Sequence, residues 1–131
     1  MSAAQRRGPR GDAAQRRGKR AEALAAWWLR LKGYRVLARG FTSGRGTGAG
    51  EVDLIVRRGD VVAFVEVKAR ASLAQAAEAI TPMQQDRLRR AAQSFIARHP
   101  ELAACSWRFD AVLVPPRTLP RHIRDAWRMD A

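Results

Sequence analysis

The sequence predicts a mixed α/β fold of α-β-β-β-α-β order, with helices flanking one sheet. Gly59-Asp60 connects two strand-like runs, and such a two-residue connection is typical of a β-hairpin. Apolar residues recur at helical spacing ahead of this hairpin. Thr81 and Pro82 combine a preferred N-cap residue with a proline at the first helical position, which indicates a second helix. Together these patterns predict helices before and after a hairpin-containing sheet.

The first helix is predicted over residues 19–32, and Gly33 suits the position just past its end. Its buried side is predicted to be a stripe of large apolar residues, namely Leu24, Trp27, Trp28 and Leu31. The glycines of residues 43–50 predict a flexible loop, and residues 72–80 are ambiguous. The other predicted elements are strands at 34–39, 51–58, 61–69 and 107–114, a second helix at 82–98, and a short strand or helix at 121–127.

Positive charge is the strongest feature of the composition. The chain has 131 residues, and 25 Lys and Arg against 12 Asp and Glu give it a net charge of +13. A surplus of this size attracts polyanions, so we expect nucleic acid as the partner. A basic protein that is merely soluble is the alternative.

The beginning of the chain carries much of this charge. Residues 1–17 are predicted to be a disordered basic tail, and residues 18–131 a single domain. Such a tail predicts salt-sensitive contacts with phosphates, although a solubilising tail would have the same composition. The cations assigned to nucleic-acid binding in this region are Arg16, Arg17, Lys19 and Arg20.

Other features of the composition bear on the compartment. Cys105 is the only cysteine, so an intrachain disulfide is excluded, as is usual in a reducing compartment. No stretch is long and apolar enough to cross a bilayer, and no secretory signal is supported. We therefore expect a cytoplasmic protein that does not bind membranes.

The hairpin turn fixes which residues face each other. If Gly59 and Asp60 form the loop, Arg58 faces Val61, and counting outward gives every further pair. One face pairs apolar residues: Val56 with Ala63, Leu54 with Val65, and Val52 with Val67. The other face pairs Ile55 with Phe64, Asp53 with Glu66, and Glu51 with Lys68.

Asp53 and Glu66 are thus predicted to oppose each other, a pairing of like charges that costs stability. A divalent cation between them would remove that cost, and Mg²⁺ or Mn²⁺ accepts carboxylate oxygens. Lys68 projects from the same face as Glu66 and could position water or stabilise charge on a phosphate. The alternative to a metal site is a row of solvent-exposed charged residues in which Glu51 and Lys68 form an ion pair.

Five motifs along the chain can be compared with known families. They are Gly18-x-x-Ala21-Glu22-x-x-Ala25, Gly50-Glu51-Val52-Asp53-Leu54-Ile55, Phe64-Val65-Glu66-Val67-Lys68-Ala69-Arg70, Ala79-Ile80-Thr81-Pro82 and Arg108-Phe109-Asp110. Together they resemble the YraN-like family of uncharacterised bacterial proteins. That family resembles Holliday-junction resolvases and other PD-(D/E)XK nucleases. The resemblance implies a restriction-endonuclease-like core.

The resemblance also implies roles for individual residues. Asp53 matches the Asp of the nuclease motif, Glu66-Val67-Lys68 matches its E-x-K, and Glu22 matches an acidic residue from the first helix. A Glu at this place could equally be favoured by the helix dipole. The chain departs from the family in its long loop before Glu51 and in a Gln-Gln pair where Lys-Gln is usual. The remaining residues assigned to nucleic-acid binding are Arg70, Gln85, Arg87, Arg89 and Arg90, although the three arginines of the helix also suit a solvated face.

Three functions follow as hypotheses. The first is a Mg²⁺-dependent endonuclease acting on branched or damaged DNA, with Glu22, Asp53, Glu66 and Lys68 at its site and a homodimer left open. The second is a non-catalytic nucleic-acid-binding module that keeps the nuclease fold. The third is a scaffold for a protein partner, with its charge incidental.

Overall fold

The computed structural model describes residues 9–42, 50–69 and 81–126. Two α-helices and five strands make up this part of the chain, and their order agrees with the predicted one. The helices are α1 (Pro9–Leu31) and α2 (Pro82–Ala97), and a short 3-10 helix covers Pro100–Leu102. The strands are β1 (Arg35–Phe41), β2 (Val52–Arg58), β3 (Val61–Lys68), β4 (Ser106–Leu113) and β5 (Arg121–Ile123).

The five strands form one mixed sheet in the order β1-β2-β3-β4-β5. Neighbouring strands are antiparallel except β3 and β4, which run parallel. A parallel pair needs a crossover connection, and α2 lies in it. The hairpin register predicted from the Gly59-Asp60 turn is confirmed from Arg58 opposite Val61 to Leu54 opposite Val65.

Each face of the sheet is covered by one helix. The face toward α1 packs Ala25 and Leu29 against Leu54, Val56 and other strand residues. The face toward α2 packs Leu88 and Phe95 against side chains that include Ile55 and Phe64. The sheet is therefore buried on both sides, which explains why its central strands are nearly continuous runs of apolar residues.

The buried stripe predicted for α1 is wrong. Leu24, Trp27 and Leu31 are 45%, 47% and 63% exposed, and Trp28 is half-buried. The side of the helix that meets the sheet carries mostly small residues, Ala21, Ala25 and Ala26, together with Leu29. Alanine lets the helix axis approach the sheet closely, so the large side chains point away from it.

The first helix also begins earlier than predicted, at Pro9 and not at residue 19. Residues 9–17, which were assigned to a disordered tail, are therefore helical. Pro9 suits the first helical position, and the Ala, Arg and Gln residues that follow it are good helix formers. Residues 1–8 and 72–80 lie outside the described residues, so the predictions for them stay predictions. The described helices include none that is long and apolar enough to cross a bilayer.

Asp110 on β4 is fully buried and forms the centre of a polar cluster, here called the Asp110 cluster. Its carboxylate accepts hydrogen bonds from Arg108 at 2.8 Å, from His122 Nε2 at 2.7 Å and from the Asp125 N–H at 3.0 Å. Arg108 also donates to the Tyr34 hydroxyl at 2.7 Å. The carboxylate is thus paired with an arginine of its own strand.

Candidate metal and nucleic-acid site

The sheet forks at the beginning of β2. Pairing between β2 and β3 runs from Arg58 and Val61 to Leu54 and Val65, and beyond this point the strands take different partners. Val52 pairs with Phe41 of β1, whereas Val67 pairs with Val112 of β4. The predicted pairing of Val52 with Val67 is wrong, because Val52 packs toward α2 and Val67 toward α1.

Asp53 and Glu66 lie at this fork, one residue beyond Leu54 and Val65, the last paired positions of β2 and β3. Asp53 Oδ2 accepts a hydrogen bond of 2.8 Å from the Val67 N–H, and the two carboxyl groups are hydrogen-bonded to each other. Lys68 Nζ lies 3.2 Å from Glu66 Oε1, so the ammonium is paired within its own strand. Both side chains of that ion pair are largely shielded, with 20% and 15% of their surfaces exposed. The three predicted groups are therefore brought together.

Shielding from water changes the acidity of this pair. Burial raises the pKa of Asp53 to about 7, with a further rise from Glu66, against a lowering effect of the Val67 N–H. Burial also raises the pKa of Glu66, although the Lys68 ammonium and the hydrogen bond from Asp53 oppose that rise. One proton between the two carboxyl groups relieves their repulsion.

This acidity predicts a stability difference between wild type and the Asp53→Asn variant. Between pH 4 and 7 the folded wild type holds a proton on Asp53 that the unfolded chain has lost, so its stability falls as pH rises through this range. The amide of the variant cannot titrate. The free energy of unfolding of wild type relative to the variant should fall by up to about 4 kcal/mol from pH 4 to 7 without metal.

Urea denaturation with a chelator present, at pH 4, 5.5 and 8, measures this difference. Addition of Mg²⁺ at pH 8 should stabilise the wild type and leave Asp53→Asn unchanged, because binding to the folded state adds its own free energy. A difference between the two proteins that is constant with pH would contradict the raised pKa.

Two further carboxylates, Glu22 and Glu51, contribute to the site. Burial and the charge of Glu51 raise the pKa of Glu22, and Arg39 and Lys19 oppose this effect. Glu22 and Glu51 in turn raise the pKa of Asp53. The predicted Glu51–Lys68 pairing is wrong, because Lys68 contacts Glu66 and Glu51 lines the pocket with Asp53. Because side chains alternate along a strand, the sequence predicts Glu51, two residues before Asp53, on the same face as Asp53.

The first turns of α2 form the opposite wall of the pocket. Its lining residues are Gly50, Glu51, Asp53, Glu66, Gln84, Arg87 and Leu88. Gly50 donates a hydrogen bond of 3.1 Å to the Arg87 carbonyl, which fixes the approach to β2 against the helix. A Cβ at Gly50 would lie 3.2 Å from Arg87 Cβ, so only glycine fits this contact comfortably.

Arg87 therefore stands beside the acidic pair, as a group that would contact a bound phosphate should. Gln84 also lines the pocket, whereas Gln85, the residue assigned to this role from the sequence, is not among the lining residues. The Gln84 N–H is capped by the Thr81 hydroxyl as predicted, and the helical spacing of Gln84, Arg87 and Leu88 indicates why they share a face.

The other residues assigned to nucleic-acid binding fall into three groups. Arg89 and Arg90 both pair with Asp86, Arg90 at 2.9 Å, so their charges are partly neutralised on an exposed face of α2. Lys19 and Arg20 are exposed on α1. Arg70 and the side chains of Arg16 and Arg17 lie outside what the structure describes, and their roles stay predictions.

The donor set at the fork fits a hard divalent cation. Asp53 and Glu66 supply two carboxylates, and Mg²⁺ in proteins commonly uses one or two carboxylates with water and phosphate oxygens completing its shell. Among the described residues, no three side chains of His, Cys, Asp or Glu are grouped closely enough to hold an ion together. A cation here would thus leave most of its positions to water and to an anionic ligand.

The fold and this site define a mixed α/β protein that presents a shielded carboxylate pair and a lysine where its sheet forks. The chain belongs to the uncharacterised protein family UPF0102, whose sequence model matches residues 21–114. All four candidate acidic and basic residues, Glu22, Asp53, Glu66 and Lys68, lie within the matched region. The expected membership in an uncharacterised bacterial family is confirmed.

Relatives share this family name. A UPF0102 protein of Paramagnetospirillum magneticum is 70% identical over 128 residues, which cover 98% of this chain and 92% of the relative. One of Parvibaculum lavamentivorans is 56% identical, covering 82% and 78%. One of Methylorubrum extorquens is 50% identical, covering 94% and 93%. These names state no activity, so the likeness to nucleases stays a prediction.

Proposed function

We propose that this protein is a metal-dependent endonuclease-like protein that acts on DNA, with branched or damaged DNA as the substrate class. The observation that carries the proposal is the shielded Asp53–Glu66 pair, which shares a fork of the sheet with Lys68. Keeping two acids together in a protected place costs stability, so the arrangement needs a functional reason.

Charge around the pocket supports a polyanionic substrate. The protein carries a net charge of +13, although the pocket itself is acidic. Arg87 lines the pocket, and Lys19 and Arg39 lie close enough to Glu22 to lower its pKa. A cation on the carboxylate pair would remove the local negative charge, and the surrounding cations would then favour a phosphodiester.

Each residue would have a defined task in hydrolysis. Mg²⁺ or Mn²⁺ held by Asp53 and Glu66, with the Val67 carbonyl assisting, would supply Lewis-acid polarisation of the phosphate. The Val67 N–H holds the Asp53 carboxylate in place. Lys68 orients the attacking water and stabilises negative charge on the phosphate, and Arg87 binds a non-bridging oxygen. Glu22 of the same chain accepts a proton from the attacking water. Its raised pKa suits that task.

Calorimetric titration of wild type and Asp53→Asn with Mn²⁺ and then Mg²⁺ tests the metal site. We expect saturable uptake by the wild type and its loss in the variant, because the variant removes a charged ligand. Uptake should strengthen as pH rises from 6 to 8, since a proton on Asp53 competes with the ion. The wild type taking up neither ion would overturn the enzyme proposal.

The second candidate is a non-catalytic nucleic-acid-binding module, and the exposed cations on α1 and α2 favour it. It would bind nucleic acid in a salt-dependent manner that ignores Mg²⁺ and survives loss of Asp53 and Lys68. A homodimer stays a prediction, for which the exposed side of α1 with Leu24, Trp27 and Leu31 offers apolar surface.

A further inference from the structure

A cationic site, separate from the acidic pocket, lies at the far end of the β2–β3 hairpin. A cleft at this place is lined by Gly33, Arg35, Arg57, Arg58 and Gly59, and is here called the hairpin-tip cleft. It has a volume of about 390 Å³. Its lining contains no carboxylate, in contrast to the acidic pocket at the fork.

Two of these arginines are placed against each other. Arg35 of β1 and Arg57 of β2 are direct cross-strand partners in the sheet. Like charges in this arrangement are destabilising, so the pairing needs an explanation beyond the fold. Within the described residues, no hydrogen bond or ion pair is found for the Arg35 side chain. The exposed Glu101 carboxylate interacts with the charge of Arg57, and Asp60 follows Gly59 in the hairpin turn.

Hydrogen bonds to backbone carbonyls hold the arginines of the cleft in place without neutralising their charge. Arg57 Nε donates to the Gly59 carbonyl at 3.0 Å, and Arg58 donates to the Lys32 carbonyl at 3.1 Å. The Arg58 guanidinium also lies over the Tyr34 ring, 4.6 Å from its centroid. Both guanidinium groups keep further N–H donors, because each has five and these contacts use one. Preorganised arginines of this kind suit the oxygens of a phosphate.

The surroundings are electropositive as well. Burial lowers the pKa of Lys32, and the neighbouring charges of Arg124 and Arg58 lower it further, against a raising effect of Asp110. The side chain of Lys32 is itself engaged with His122 Nδ1 at 2.6 Å. An anion in the hairpin-tip cleft would thus meet a field of several cations and the two arginines of the cross-strand pair.

The edge strand β1 connects this cleft with the acidic pocket. Arg35 and Arg39 are both exposed on β1, and Arg39 lies close enough to Glu22 to lower its pKa. Arg35 and Arg39 are four residue steps apart on β1, at most about 13 Å at roughly 3.3 Å per residue, and the register shift between Val36 and Ala38 lies between them.

We propose that the hairpin-tip cleft binds a backbone phosphate of the nucleic acid that enters the acidic pocket. The identity of the ligand rests on the proposed function, because it takes nucleic acid as the partner. The cleft itself does not depend on cleavage, so it holds for an enzyme and for a binding module alike.

The test compares two double variants that lose the same charge. Arg35→Gln with Arg57→Gln removes the cross-strand pair of the cleft, and Arg117→Gln with Arg121→Gln removes two exposed arginines that line neither the hairpin-tip cleft nor the acidic pocket. Binding to a labelled DNA duplex is measured by fluorescence anisotropy, with a chelator present, over a series of salt concentrations. Thermal unfolding of each protein accompanies the titrations.

We expect the cleft variant to bind about tenfold or more weakly, because charge-assisted contacts with phosphate are among the strong hydrogen bonds. Its plot of log affinity against log salt concentration should be shallower by about one, because one phosphate contact is lost. The control pair should change both quantities much less. The cleft variant should also unfold no earlier than wild type, since it loses a like-charge repulsion.

The outcomes separate this proposal from the proposed function. Equal losses of DNA affinity in the two double variants would overturn the proposed phosphate site in the hairpin-tip cleft, even if Asp53→Asn abolished cleavage. A selective loss in the cleft variant would support the cleft, even if wild type took up no metal. Wild type that does not bind DNA near 0.1 M salt, where the screening length is about 10 Å, would overturn it together with the partner class.

Discussion

Replacing Asp53 with Asn is expected to abolish cleavage of branched DNA and to leave DNA binding intact. The substitution keeps the shape of the side chain and its hydrogen bond from Val67, but removes one of two charges available to a cation. The cleavage rate should fall by more than about 100-fold, since loss of even an outer partner of a metal ligand costs roughly 10- to 100-fold. Affinity for DNA should stay the same or rise, because a negative charge beside the phosphate has gone.

The measurement uses junction, flap and nicked substrates with Mg²⁺ or Mn²⁺, under single-turnover conditions, with binding measured in parallel. Asp60→Asn is the matched control, because Asp60 is an exposed carboxylate in the hairpin turn, where asparagine is also well tolerated. It should cleave like the wild type. Equal cleavage by wild type and Asp53→Asn would show that the activity arises elsewhere or from a contaminant.

The second large effect concerns stability and comes from the Asp110 cluster. Asp110→Ala removes the acceptor of four hydrogen bonds and leaves Arg108 and His122 without their partner in the interior. Loss of one partner of a buried ion pair typically costs about 3–5 kcal/mol, because the other charge remains desolvated. Urea denaturation should therefore show a large fall in the midpoint with a similar slope.

A comparable pair on the surface provides the control. His99 and Glu101 also form a His–carboxylate contact, at 3.1 Å, but Glu101 is exposed and the His99 side chain keeps 40% of its surface in water. Glu101→Ala should change the free energy of unfolding far less than Asp110→Ala does, because solvent screens such a contact. Similar losses for both variants would contradict the role of burial at Asp110.

The loss of stability caused by Asp110→Ala is expected to depend on pH. Burial on its own would raise the pKa of Asp110, but the hydrogen bonds from His122, Arg108 and the Asp125 N–H outweigh it and lower the pKa. A lowered pKa stabilises the fold above the pKa of the unfolded chain and loses that contribution in acid. The stability difference between wild type and Asp110→Ala should therefore narrow as pH falls below about 4.

The register at the site could be predicted because two local rules agree there. A two-residue turn fixes which residues oppose each other, and the alternation of side chains then assigns them to faces. These rules bring Asp53, Glu66 and Lys68 together from the sequence alone. They do not predict the fork, because the partners of Val52 and Val67 lie on β1 and β4, outside the hairpin. Such long-range pairing leaves no local signal.

The buried side of α1 was mispredicted for a different reason. Helical periodicity gives most weight to large apolar side chains, and Trp27 and Leu31 outweigh alanines in any such count. The sheet instead packs against Ala21, Ala25 and Ala26, where small size permits close approach. Glu22 adjoins this alanine side, which is how it comes to lie near Asp53. Ala25 and Ala26 follow Glu22 by three and four residues, so helical spacing places Glu22 beside these alanines.

The parallel pairing of β3 with β4 has a consequence for biosynthesis. The nascent chain presents the hairpin first, but the central strand β3 keeps one open edge until Ser106–Leu113 has left the ribosome. Pairing across so many residues slows folding, and an unpaired edge rich in valine invites aggregation meanwhile. A truncated product that ends before β4 would therefore contain every candidate site residue while one edge of β3 stayed unpaired.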